Sequence, residues 1–244
     1  CSIRREIFSF ASSSRKADAI FLSSMYIPSY LFLLFVSSNS KICYTANMKI
    51  TDKLVDTLIH LKKPAVIAVS GFNGSGKSTF AGLLHAALRI PVISVDSFIK
   101  SRMLEKYSYI NLIDIDRLER EVIIPFKQNK NPLMYGHFDW PENRIKETIE
   151  VVHNGTIIVE GIWIFRQELM RYFDYTIWID CDMEEAVRRG KKRDREVYHN
   201  PQDEQWDTFW KENDKEFFRT VNPKQSADIV IDNTTLYFPP VQIS

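Results

Sequence analysis

Residues 65–80 read AVIAVSGFNGSGKSTF, and three kinds of sequence follow one another there without a gap. Ala65 to Val69 is a short apolar run with β-branched Val66, Ile67 and Val69, the pattern of a parallel strand covered on both faces. Gly71, Gly74 and Gly76 then break it, and an amphipathic pattern starts at Lys77. The spacing G-x-x-x-x-G-K-[ST] is met by Gly71, Gly76, Lys77 and Ser78, between a strand and a helix as a phosphate-binding loop requires.

The residue types suit that task. Glycines let the backbone curl until successive N–H groups face one anion, and the following helix adds the positive end of its dipole. Gly71, Asn73, Gly74, Ser75, Gly76, Lys77, Ser78 and Thr79 are the expected nucleotide contacts. Lys77 would reach the β- and γ-phosphates, Ser78 would offer its hydroxyl to Mg²⁺, and Thr79 would meet the α-phosphate, so ATP and Mg²⁺ are the expected cofactors. A glycine-rich turn that binds nothing is the plain alternative, and it gives no reason for the Lys-Ser-Thr run.

With 244 residues, 45% of them apolar, the chain is long enough for one substantial α/β core. A formal charge of +1 gives no reason to expect nucleic acid or an anionic membrane as the main partner. Cys1, Cys43 and Cys181 form neither a disulfide framework nor a zinc-site spacing, which points to a reducing, cytoplasmic setting. Residues 1–47 read as a leader outside the core: eleven of them are Ser, and the apolar stretch Ile20 to Val36 is interrupted by Ser23, Ser24, Pro28 and Ser29. Either a targeting segment or untranslated upstream sequence fits this pattern. The catalytic domain is expected over 48–233, with a tail at 234–244.

Outward from the loop, apolar spacing predicts a helix over 50–61 and another after Lys77. Val92 to Val95, Thr156 to Val159, Tyr175 to Ile179 and Asp228 to Asp232 read as further buried strands. The expected fold is therefore α/β: a three-layer P-loop NTPase with a parallel sheet of about five strands, helices on both faces and a helical lid. Asp96 and Glu160 stand at the carboxyl ends of two strands, where open α/β sheets place ligands. Asp96 could orient an attacking hydroxyl and take its proton, or hold a magnesium water, and Glu160 could serve as a second magnesium carboxylate. Ser78, Asp96 and Glu160 are thus the expected metal set. Asp96 could instead cap the next helix.

Residues 101–113 read as a loop over the site, and a helix starting at Asp114 or Asp116 is expected to stop at Pro125. The run MYGHFDWPENR, residues 134–144, mixes aromatic and hydrogen-bonding groups without a core period. Tyr135, His137, Asp139 and Arg144 could hold a ring-shaped polar acceptor, and a plain hairpin over the sheet is the competing reading. Arg189 and Arg193 share one face of a basic helix, with Asp194 and Glu196 interleaved. They read either as a solvated surface or as lid cations that neutralise a transferring phosphoryl group. A last helix is expected over 202–218.

Five segments together, GFNGSGKST, VISVDSF, IIVEGIWIF, RGKKRD and ADIVIDN, resemble the uridine kinase family of P-loop kinases, whose relatives include phosphoribulokinase and bacterial pantothenate kinase. The likeness spans about residues 60–233. It implies phosphoryl transfer from ATP to a small-molecule hydroxyl, with uridine or cytidine 5′-hydroxyl as acceptor, Asp96 as base, Lys77 on the phosphates, and Arg189 and Arg193 in the lid. The chain departs from the pattern at Gly190, which replaces a second lid arginine. Its 107–118 segment keeps only Asp114 and Asp116 of the family's acidic run.

Other classes fit less well. A GTPase switch would carry N-K-x-D after a strand, whereas Asn129-Lys130 continues into Asn131-Pro132. A remodelling ATPase would need further domains. A nucleotide-binding regulator without catalysis would have no use for Asp96, Glu160 and the lid cations. Pantothenate, nicotinamide riboside and sugar phosphates are the alternative acceptors, and a homo-oligomer is left open.

Overall fold

The computed structural model describes residues 50–100 and 112–234. The expected leader over 1–47, most of the 101–113 loop and nearly all of the tail lie outside the described residues.

The expected parallel sheet is present and has five strands. β1 (Ala65–Gly71) lies at its centre between β5 (Thr156–Glu160) and β6 (Tyr175–Asp180), with β2 (Val92–Ser94) and β7 (Ile229–Asp232) at the edges. All four pairings are parallel. β1 reads as a continuous apolar run because it is buried throughout and feeds two cores. Val66 and Ala68 point into one, while Ile67 and Val69 point into the other, so alternation along the strand fills both faces.

The second core is closed by α1 (Asp52–Ile59) and α2 (Lys77–Leu88). Thr51 caps α1 by accepting from the Leu54 N–H at 3.2 Å, and Leu54 and Leu58, one turn apart, bury the same face. Phe80, Ala81 and Leu84 do the same for α2 and fix the helix that follows the loop.

On the other face, α3 (Ile115–Leu118) runs through a π turn at Glu119–Ile123 into α4 (Ile124–Lys127). The helix does not stop at Pro125 as the sequence predicts. Pro125 instead sits just past the π turn, inside a continuous helical run. A two-stranded antiparallel hairpin follows, β3 (Leu133–Asp139) and β4 (Arg144–Val151). α5 (Gln167–Met170) and the lid helix α6 (Met183–Glu196) come after β5 and β6. The expected 202–218 helix is broken into α7 (Asp203–Gln205), a π turn at Trp206–Trp210 and α8 (Lys211–Val221), and α9 (Pro223–Ser226) leads into β7. None of the described helices is long and apolar enough to cross a membrane.

Candidate active site

Strand register brings the candidate residues together. Val69 of β1 is level with Glu160 of β5, and Ser94 of β2 is level with Glu160 from the other side. The turn leaving β1, the carboxylate ending β5 and the segment just past β2 that holds Asp96 therefore share one edge of the sheet. Sequence distance is irrelevant here; parallel pairing puts three strand ends side by side.

The phosphate loop is built by close approach. Gly74 has φ +80°, and a Cβ on it would overlap the Ala186 carbonyl oxygen, so α6 packs directly on the loop at a position only glycine can fill. Asn233, buried just past β7, donates its side-chain amide to the Ser75 carbonyl at 2.6 Å. The last strand thus holds the loop from behind. That residue closes the ADIVIDN segment, whose role in the loop the sequence alone does not reveal.

At the start of α2, Lys77 is buried at 9% exposure, and the Ser78 hydroxyl donates to Glu160 Oε1 at 2.9 Å. Burial raises the Glu160 carboxyl above its ordinary range; the Lys77 charge pulls it back and the neighbouring Asp96 charge pushes it further up. Burial likewise raises Asp96, against the opposing pull of Lys77, Arg193 and His137. A buried Glu160 and a half-buried Asp96 facing one lysine leave a local excess of negative charge. Together with the Ser78 hydroxyl they form an all-oxygen donor set that suits Mg²⁺, which takes few protein ligands and completes its shell with water and phosphate. Among the described residues no group of three or more His, Cys, Asp or Glu side chains makes a closed metal cage.

Asp96 sits in a short 3₁₀ turn, Val95–Ser97, and its N–H lies 3.4 Å from the Ser94 hydroxyl. The hairpin docks on this turn. His137 Nδ1 lies 2.9 Å from the Ser97 hydroxyl, and Tyr135 packs in the core with its ring 5.2 Å from Phe98. Buried Arg117 joins the two by donating to the Ser97 and Gly136 carbonyls, and the Gly136 N–H donates to Glu121 at 3.0 Å. Sequence reading missed Arg117, which follows Asp116 and resembles an exposed helical charge.

The four hairpin candidates separate in consequence. His137 reaches the Asp96 turn, whereas Tyr135 is a core residue. Asp139 and Arg144 close the hairpin opposite one another, where Asp139 accepts from the Glu142 N–H at 2.8 Å and from Lys146 at 3.2 Å, and Arg144 pairs with Glu142. These contacts shape the turn.

The lid arginines separate too. Arg193 lies over the Tyr198 and Trp206 rings at 5.0 and 5.8 Å, and its charge is felt at Asp96. Arg189 instead donates to Glu185 at 2.8 Å and to the Asn233 and Thr234 carbonyls at 2.8 and 3.0 Å. Those bonds clamp the segment just past β7 to α6. Gly190 is filled by the Trp206 ring, which a Cβ there would overlap, and the Trp206 indole N–H donates to buried Asp194 at 2.6 Å. An arginine has no room at that position.

A glycine loop opening a helix, with two acidic strand ends beside it on a parallel sheet, defines the class of P-loop nucleotide-binding proteins. The AAA domain family model matches residues 67–208. Uridine kinase from Clostridium novyi is 31% identical over 149 residues, 55% of this chain and 70% of that enzyme, and uridine kinase from Saccharomyces cerevisiae is 25% identical over 194 residues, 70% of this chain and 38% of that one. A solved structure of a possible uridine kinase from Bacillus stearothermophilus superposes with a TM-score of 0.57 at 20% identity, covering 74% of this chain and 96% of that one. The chain belongs to the AAA domain family by the first match and, by the second, to the uridine kinase family. It is a small-molecule kinase, a phosphotransferase acting on a hydroxyl group.

Proposed function

We propose that this kinase transfers the γ-phosphate of ATP, with Mg²⁺, to the 5′-hydroxyl of uridine or cytidine. The observation that carries the reading is that Lys77 and Ser78, in the first turn of α2, lie beside the ends of β5 and β2, where Glu160 is buried and Asp96 is half-buried. Lys77 and the loop N–H groups hold the phosphates; Asp96 receives the proton of the attacking hydroxyl, and His137 orients the acceptor beside it. Arg193 offsets charge on the transferring group. Mg²⁺, when bound through Ser78, Glu160 and Asp96, would neutralise the β- and γ-phosphate oxygens. The acceptor is a small molecule, not nucleic acid, and the setting is cytoplasmic.

A pyrimidine nucleoside is favoured because the sequence similarity is to uridine kinases and because the hairpin presents His137 at the Asp96 turn, where a sugar hydroxyl must sit. The test is ADP release with ATP, Mg²⁺ and a panel of nucleosides, pantothenate, nicotinamide riboside and sugar phosphates, with Lys77→Ala as control. Turnover of uridine or cytidine that is lost in Lys77→Ala is the expected result. Turnover of another panel member with neither pyrimidine accepted would replace the acceptor; turnover surviving Lys77→Ala would remove the phosphate-loop assignment.

A further inference from the structure

α8 grips the outside of the phosphate loop with two side chains one helical turn apart. Asp214 and Phe218 are four residues apart and so share a face. The Phe218 ring stands 5.4 Å from that of Phe72, while Asp214 takes the next loop residue. Asp214 Oδ2 accepts from the Asn73 backbone N–H at 2.7 Å, and the Asn73 side-chain amide donates to Oδ1 and Oδ2 at 3.1 and 3.2 Å. The carboxylate is 3% exposed and reaches across 141 residues of sequence. A buried carboxylate is expensive, so one spent on a loop backbone calls for a use beyond packing.

We propose that Asp214 is a positioning residue that sets nucleotide affinity by holding the phosphate loop in its binding curvature through Asn73. The inference rests on the reading of residues 71–79 as that loop. A cradle works only when its N–H groups already converge, because a loop that must order on binding subtracts that cost from affinity. Asn73 precedes Gly74, the residue on which α6 packs, so fixing Asn73 from α8 leaves the Gly74–Lys77 turn held on both sides. α8 is itself tied to α6 through the π turn, by Trp206 and Asp194. The brace thus joins lid helix and loop into one unit.

The experiment measures ADP affinity by titration, nucleotide KM, kcat and unfolding midpoint for the full chain and for Asp214→Ala, Asp214→Asn, Asn73→Ala and the double variant Asp214→Ala/Asn73→Ala. ADP affinity and nucleotide KM should worsen by about 10-fold in Asp214→Ala, the size expected for lost hydrogen bonds to a charged group. Saturated kcat should stay within about 3-fold, and Asp214→Asn, which keeps one acceptor, should fall between. The double variant should bind ADP no worse than Asp214→Ala, because Asn73→Ala removes only the side-chain part of a link that Asp214→Ala already cuts whole. Affinity within about 2-fold of the unsubstituted chain in the folded position-214 variants, or additive losses in the double variant, would overturn the proposal. If Asp214→Ala does not fold, Asp214→Asn decides the matter: unchanged ADP affinity in that folded variant overturns it. Failure of the unsubstituted chain to bind ADP would overturn the phosphate-loop reading itself, a result distinct from every variant effect.

Discussion

The Ser78 hydroxyl donates to Glu160 Oε1 at 2.9 Å, which joins the first turn of α2 to the last residue of β5. The bond spans the phosphate-loop helix and the acidic strand end proposed above to hold Mg²⁺. It also fixes Glu160 in a buried site that its charge disfavours, since burial is the leading cause of its raised pKa. Function and stability therefore pull on this residue in opposite directions.

Glu160→Gln should separate them. The amide keeps the shape and can still accept from Ser78, but it carries no charge for a metal to meet. We expect kcat to fall by about 10²-fold or more, comparable to losing one electrostatic contact in a phosphoryl-transfer site. The unfolding midpoint of the nucleotide-free protein should hold or rise by a few degrees. Steady-state kinetics beside calorimetry would check both, and a lower midpoint with unchanged kcat would mean that Glu160 is structural.

The pH dependence of stability follows from Asp214. Burial raises its carboxyl from 3.8 to about 7 in the folded protein, so between those values the folded state holds a proton that the unfolded state has released. Stability contributed by this group is then fully present below 3.8 and is lost as pH rises through about 7. Glu185, held at about 2 chiefly by its hydrogen bonds to Arg188 and then Arg189, acts in the opposite sense but only below 4.5. The midpoint should fall from pH 5.5 to pH 8, and Asp214→Asn should flatten that slope. A slope that steepens in the variant would contradict the assignment.

These cases also show what a sequence can and cannot disclose. The loop and β1 are legible because their chemistry is local: glycines, Lys77, Ser78 and a doubly buried strand each leave a pattern in consecutive residues. Asp96 and Glu160 are legible one step further out, through their position at strand ends. Asp214 is not, since KENDKEFF reads as a solvated helix and its partner lies 141 residues away. Arg117 hides for the same reason, between an acid and a leucine. Arg189 is legible as a helical cation, but nothing in the sequence places the Asn233 and Thr234 carbonyls, just past β7, within its reach. The π turns at 119–123 and 206–210 leave no periodic signal, because a single wide turn shifts the apolar face without erasing it.

The seat of Trp206 over Gly190 makes a packing prediction. Gly190→Arg would restore the arginine of the family pattern but has to displace the indole and break its 2.6 Å bond to Asp194. Overpacking of this kind costs about 1 to 3 kcal/mol, and loss of the bond to a buried carboxylate adds to it. Trp206→Ala leaves a cavity and should cost about 3 to 5 kcal/mol. In the double variant the arginine enters space the indole has left, so its loss should be smaller than the sum of the two single losses. Denaturant titration of the three proteins tests this, and strict additivity would show that the side chains do not compete for one site.

Asp96→Asn tests the chemical step. Its position past β2, next to the β5 carboxylate, lets it meet an attacking hydroxyl, and burial raises its carboxyl above the ordinary range. The amide keeps the turn, since the Asp96 contact to Ser94 is made by the backbone N–H. A drop in kcat of roughly 10² to 10⁴ with little change in nucleotide KM is expected, the range for a positioned general base. The loss should persist as Mg²⁺ is raised. A rate that recovers with Mg²⁺ would make Asp96 a holder of the metal's water and not the base; near-normal turnover at ordinary Mg²⁺ would remove it from both roles and leave Glu160 as the carboxylate nearest the chemistry.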